Sequence, residues 1–179
     1  MCYNHKMKKI FYAILIMLLS MPLCGYTVKG GVTYTVETAR KEAFADVEYT
    51  LPKSIIEANK VDPNYQENMK AKAKGKNRLK YRRLVFFDDD SYGVIYNNNR
   101  HYAFYYSLNG VLEAIDKSEL SYYPVKNYGY NINGDLESIS LHVSSNESYK
   151  FNVDGTLDSY WIYDKCYDVN GRVVAKRKY

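Results

Sequence analysis

Histidine, cysteine and clustered acids are the side chains of this chain that could carry chemistry, and their spacing argues against a catalytic or metal centre. The three histidines are His5, His101 and His142, and none stands in a His-x-x-x-His or Cys/His ligand spacing. His101 and His142 read as strand residues on a polar face. No Gly-x-Ser-x-Gly elbow and no Gly-rich phosphate loop before a helix occur, so neither acyl transfer nor nucleotide chemistry is signalled. Cys166 has no partner once the N-terminal Cys2 and Cys24 are set aside; it reads as a buried hydrophobe, the other reading being a reactive or intermolecular thiol. The run Asp88-Asp-Asp-Ser-Tyr-Gly93 places Asp88, Asp90 and Gly93 at calcium-loop positions. Tyr92 then falls where an oxygen ligand is needed, and Asn99 falls where a bidentate Glu is needed. An acidic hairpin turn whose carboxylates accept local backbone bonds explains the same residues. No cofactor is expected.

Charge gives the next candidate. The formal net charge is +5, and much of it lies in Lys70, Lys72, Lys74, Lys76, Arg78, Lys80, Arg82 and Arg83, with no acid between Glu67 and Asp88. Such a run is either a solvated helix or linker, or a patch for an anionic lipid or envelope polymer. Nucleic acid is not expected, because no aromatic stacking positions interleave before Tyr81.

Aromatic rings are the third supply, with 21 tyrosines in 179 residues. Tyr122, Tyr123, Tyr160, Trp161 and Tyr163 form a candidate binding face, since flat rings stack on sugars and partner proteins. On alternating strands about half of such rings instead fill the packed side. Asn146-Glu-Ser148 fits a glycosylation acceptor if the source is eukaryotic.

The elements that position these residues are announced by a repeated phrase. Its copies are Tyr106-Ser-Leu-Asn-Gly-Val-Leu112, Tyr130-Asn-Ile-Asn-Gly-Asp-Leu136, Phe151-Asn-Val-Asp-Gly-Thr-Leu157 and Tyr167-Asp-Val-Asn-Gly-Arg-Val173. Each is an aromatic, a polar residue, an aliphatic, Asn or Asp, Gly, any residue, then Leu or Val. Asn109-Gly110, Asn133-Gly134, Asp154-Gly155 and Asn170-Gly171 are therefore expected to be turns, where Gly and Asn or Asp tolerate positive φ. Their glycines lie 24, 21 and 16 residues apart, which suits two short strands and two turns per unit. Lys176-Arg-Lys-Tyr179 reads as a charged edge that discourages further strand addition.

The last copy, Tyr167-Asp168-Val-Asn-Gly171-Arg172, resembles the YD repeat of the RHS proteins. All four resemble the aromatic-x-x-Asn-Gly phrases of MORN-like antitoxin-repeat proteins (the YwqK group). The resemblance covers about residues 84–179. It implies β-hairpins stacked into a twisted sheet and, for the MORN-like group, a role as a binding partner.

Upstream, residues 1–25 read as an export signal: Lys6, Lys8 and Lys9 precede an apolar run from Ile10 to Leu19, too short for a membrane span. Met7 is an alternative start. Lipid attachment at Cys24 and an uncleaved anchor are the alternatives to simple export, and only these would place the protein on a membrane. Residues 26–62 read as a strand (Gly31 to Val36) and a helix capped by Thr35 and running to about Tyr49. Val36, Ala39, Ala43, Phe44 and Val47 form its apolar stripe, and a second short helix follows from Ser54 to Asn59. Residues 63–83 read as a basic helix or linker, from about Asn64 to Lys80, and 84–179 as the β-hairpin repeat domain. The expected class is α+β: an antiparallel, twisted β-hairpin meander with the small N-terminal portion packed on one face or end. The expected function is a non-enzymatic, secreted or cell-envelope interaction module for a protein or glycan. The alternatives are an enzyme or inhibitor whose site is assembled by folding, and docking of the basic segment on an anionic surface.

Overall fold

A computed structural model describes residues 34–119 and 122–177. The export segment with Cys2 and Cys24, and most of the strand expected at Gly31–Val36, lie outside the described residues. Among the described residues three short helices, α1 (Val36–Ala43), α2 (Lys53–Asn59) and α3 (Tyr65–Ala73), precede ten strands. These are β1 (Arg82–Phe86), β2 (Tyr92–Tyr96), β3 (Asn99–Tyr106), β4 (Leu112–Ser118), β5 (Val125–Tyr130), β6 (Leu136–Ser144), β7 (Glu147–Asn152), β8 (Leu157–Ile162), β9 (Lys165–Asp168) and β10 (Val173–Lys176). They form one antiparallel meander in which every strand pairs with its neighbours in the chain. The class is α+β, as expected.

The phrase glycines are the only residues of their turns with positive φ, between +74° and +84°. The turns stand where expected, and Asn109, Asn133, Asp154 and Asn170 do not share the positive φ, so each turn carries one left-handed residue. In each copy the Gly N–H closes a four-residue turn onto the carbonyl of the polar residue (Gly110 to Ser107 2.9 Å, Gly134 to Asn131 3.0 Å, Gly155 to Asn152 2.9 Å, Gly171 to Asp168 3.0 Å). The register then slips beside each turn, between Tyr105 and Tyr106, Gly129 and Tyr130, Lys150 and Phe151, and Val173 and Ala175. This is a turn followed by a glycine bulge, the next commonest hairpin loop after the two-residue kind. The polar second position anchors it: Asp168 Oδ1 accepts from Asn170 N (2.9 Å) and Arg172 N (2.8 Å), and Asn131 Oδ1 from Asn133 N (2.9 Å) and Asp135 N (3.0 Å).

Alternation then sorts the side chains onto two faces. One face carries Leu84, Val94, Phe104, Ile115, Tyr128, Ile139, Leu141, Tyr149 and Phe151, and the helices lie on it. Thr35 caps α1 by accepting from Thr38 N at 3.1 Å. Ala39 and Ala43 are buried against the sheet, with Val36, Phe44 and Val47 packed around them, so the apolar stripe of the sequence is the docking stripe. The helix stops at Ala43 rather than near Tyr49, with Asp46 in the left-handed region (φ 54°).

The basic helix is shorter than its composition suggests. Gly75 at φ +62° ends α3 at Ala73, with Gly75 N donating to Lys72 O and Lys76 N to Ala71 O. That glycine stop is a C-terminal cap readable in sequence, and it outweighs the helix formers that follow. Arg82 and Arg83 consequently belong to β1.

The helices hang on the repeat turns in reverse order. Before α3, Asp62 N donates to Gly110 O (2.8 Å) and Leu112 N to Lys60 O (3.0 Å). Before α2, Leu51 N donates to Gly134 O (2.8 Å) and Leu136 N to Tyr49 O (3.0 Å). Each linker is thus a one-bridge strand (Val61 with Val111, Thr50 with Asp135) laid against the start of a repeat strand and followed by a proline, Pro63 or Pro52.

Candidate functional site

Because strands alternate direction, every phrase turn falls on the same edge of the sheet. The aliphatic third position of the phrase sits at the tip of each, and it is exposed in all four: Leu108 48%, Ile132 52%, Val153 43% and Val169 57%. Nothing in the turn geometry requires an apolar side chain there, since the backbone bonds are made by the flanking polar residue and glycine. Val111, Val173 and the linker residues Tyr49 and Val61 add exposed apolar surface along the same edge. Successive turns are two strands apart, about 10 Å. The signal was present in the sequence as an aliphatic between two turn residues, but alternation alone does not place it in solvent.

The five rings expected to form a binding face do not form one surface. Tyr160 lies on the helix-bearing face, stacked between Tyr149 (6.2 Å between centroids) and Tyr167 (5.1 Å). Trp161, its neighbour, points to the other face and is only 3% exposed, with the Arg177 guanidinium 4.5 Å from its ring centroid. Tyr122 and Tyr163 are exposed on the opposite edge from the phrase turns, and Tyr123 is half-buried there.

The basic run is likewise divided. Arg82 is buried and bonded to Asn68 Oδ1 (2.7 Å) and Glu67 (2.5 Å). Lys72 pairs with Asp90 Oδ1 at 2.6 Å and also approaches the Phe86 ring. Lys70, Lys74, Lys76, Arg78 and Lys80 remain on the surface, and Arg83 is half-buried. In the acidic turn, Asp89 Oδ1 accepts from Ser91 N (3.1 Å) and from its hydroxyl, as a turn residue does. Among the described residues no group of three or more His, Cys, Asp or Glu is placed to hold a metal ion.

The face away from the helices is polar yet shielded. Ala103, Asp116, Gly129 and Ser138 form one cross-strand row; Ser118, Asn127, Ser140, Lys150 and Ser159 form the next. His142, Ser148, Trp161 and Cys166 follow in a third. His101 shares this face, but β4 and β5 lie between its strand and that of His142, so the two imidazoles are not gathered. Among the described residues Asn127 Nδ2, His142 Nε2 and Ser148 Oγ are buried without a hydrogen-bond partner. Burial, with a smaller push from Arg177, lowers His142 to about 4, so it offers neutral donors and acceptors. Burial raises the Cys166 thiol to about 11, which removes thiolate reactivity near neutral pH.

Asp116 accepts from Tyr105 Oη at 2.8 Å, and burial raises its carboxyl to about 6, against the opposing effects of that bond and of Lys150. Its effect on stability is opposite in sign to that of His142. As pH falls from 6.5 toward 4 the unfolded chain protonates His142 and the folded chain does not, so stability is lost. Between pH 6 and 3.8 the folded chain protonates Asp116 first, so stability is gained. In Asp116→Asn only the loss is left. Relative to the parent, its unfolding free energy is expected to fall by up to about 1.4 kcal/mol per pH unit through this window. Urea titrations at successive pH values measure this, and a difference that does not change with pH contradicts a buried Asp116 carboxyl.

Comparison with protein-family models, curated proteins and solved structures finds no match to this chain.

Proposed function

We propose that this chain is an exported, non-enzymatic β-repeat module that binds a partner protein along its turn edge. The observation that carries the reading is the aliphatic residue exposed at the same turn position in all four repeats. A row of aliphatics favours an apolar protein surface over a glycan, which is bound through polar groups and ring faces. The spacing of about 10 Å between neighbouring turns matches the rise of seven helical residues, about 10.5 Å. The partner surface is therefore an amphipathic helix with apolar residues seven apart. Sheet twist of about 20–25° per strand limits it to two or three adjacent turns. The binding-partner role implied by the resemblance to MORN-like repeats supports the same reading.

The test uses a synthetic amphipathic helix with leucine at every seventh position, titrated into the isotope-labelled protein. Shifts are expected at Ile132 and Val153, the central tips. Ile132→Asp or Val153→Asp should each weaken binding about tenfold or more, as buried apolar anchors do. Both variants should keep their folding stability within about 0.5 kcal/mol, since surface positions tolerate change. Tyr122→Asp, on the opposite edge, should bind as the parent does. Equal affinity in parent and tip variants, or binding of a neutral polysaccharide in place of the helix, overturns the proposal.

A further inference from the structure

We propose that the fourth turn, at Gly171 and Val173 on the outer side of β10, is a docking slot for an extended, proline-ended segment of a partner protein. The molecule itself shows the ligand chemistry. Among the described residues a segment of this chain occupies the position at two of the four equivalent turns: Lys60-Val61-Asp62-Pro63 at Gly110, and Tyr49-Thr50-Leu51-Pro52 at Gly134. In both, the first residue offers its carbonyl to the repeat Leu N–H, the third donates its N–H to the glycine carbonyl, and proline follows. A helix then begins and drops a bulky side chain over the glycine. A Cβ on Gly110 would stand 2.7 Å from the Tyr65 ring, and one on Gly134 would stand 2.5 Å from Ile56 Cδ1.

The fourth turn has the same hydrogen bonds, Asp168 N to Arg172 O (2.9 Å) and Gly171 N to Asp168 O (3.0 Å). Val173 therefore corresponds to Leu112 and Leu136, with its N–H directed away from β9. β10 is the last strand of the sheet, and among the described residues none pairs with its outer edge. Among the described residues a Cβ on Gly171 would meet only the Tyr160 hydroxyl, at 3.8 Å, and none fills the place held elsewhere by Tyr65 or Ile56, where an incoming apolar residue would sit. The Tyr160–Tyr167 stack, with centroids 5.1 Å apart, lies alongside it. At the third turn the glycine already faces the Arg40 stem of α1, at 3.7 Å. Lys176 and Arg177 lie at the far end of β10, where charge opposes a long added strand. The slot thus suits a three-residue clip rather than a full strand, a short form of strand addition to a sheet edge.

The inference builds on the turn edge as the contact surface, but the two readings fail separately, because backbone pairing at Val173 does not involve Ile132 or Val153. The probe is a synthetic peptide copying residues 47–58, added to the full-length protein. The internal copy is held at high effective concentration by its tether, so the free peptide reports an open slot. Amide shifts are expected at Gly171 and Val173. A peptide N-methylated at the position of Leu51 should bind about tenfold or more weakly, having lost its donor. Val173→Pro, which removes the N–H that donates to the peptide carbonyl at the Tyr49 position, should do the same; the N-methyl arm stands on its own if that variant folds poorly. Absence of shifts at Gly171 and Val173 at several millimolar peptide, or equal binding of the N-methylated peptide, overturns the inference.

Discussion

Asp62→Ala is expected to destabilise the protein by about 3–5 kcal/mol, the range for breaking a buried charged network by removing one partner. Asp62 is 3% exposed, and its carboxylate accepts from Asn64 N (2.9 Å), Asn68 Nδ2 (2.8 Å) and Tyr92 Oη (2.7 Å). Asn68 Oδ1 in turn accepts from Arg82 Nε at 2.7 Å, so the amide relays between the buried cation and the buried anion. Alanine leaves the Tyr92 hydroxyl, the Asn68 Nδ2 and the Asn64 N–H without their acceptor, while Arg82 keeps Asn68 Oδ1 and Glu67 but loses the anion at the other end of the relay. Burial, then the bond to Asp62, raises the Tyr92 phenol far above the usual range, so Tyr92 acts only as a donor here. Tyr92→Phe should therefore cost less, about 1–2 kcal/mol. Urea unfolding measures both, and a loss below about 1 kcal/mol for Asp62→Ala contradicts the relay. The network joins the linker before α3, α3 itself, β1 and β2, so the same substitution should also loosen the first clip.

Gly134→Ala is expected to cost about 2–5 kcal/mol, and Gly171→Ala only about 1–2. Both glycines have positive φ (84° and 74°), where an L-residue costs about 1–2 kcal/mol. At Gly134 the added methyl also meets Ile56 Cδ1 at 2.5 Å and the Leu51 carbonyl at 3.3 Å. The Ile56 tip can turn aside but the backbone carbonyl cannot, and overpacking of this kind adds about 1–3 kcal/mol. At Gly171 the methyl meets, among the described residues, only the Tyr160 hydroxyl at an ordinary contact distance of 3.8 Å, so only the conformational cost applies. Equal losses from the two substitutions would show that α2 does not bear on the second turn.

The turns were legible because a glycine that must adopt positive φ is a local requirement, met within four residues. The Thr35 cap and the Ala39, Ala43, Phe44 and Val47 stripe were legible for the same reason, since helical spacing is short-range. The end of α3 was also legible in principle, since Gly75 is a cap signal, but the surrounding lysines are strong helix formers and masked it. Which face a strand residue takes was not legible at Trp161. Each glycine bulge shifts the register by one residue, and a shift of one exchanges the faces. The cross-strand rows around Asp116 and His142 depend on registers accumulated over several strands, which no local pattern contains. The clips at Gly110 and Gly134 join residues far apart in the chain and are made only by backbone atoms, so side-chain identities do not announce them.

Amide hydrogen exchange, resolved at single residues, tests most directly the claim that the turns carry a pairing slot, filled at two turns and unfilled at the last among the described residues. Leu112 and Leu136 N–H, bonded to Lys60 and Tyr49, should exchange only with opening of the sheet. Val173 N–H, at the equivalent position of the fourth turn, should exchange orders of magnitude faster, as groups at an open edge do. Equal protection at Leu136 and Val173, or fast exchange at Leu112 and Leu136, would contradict the account.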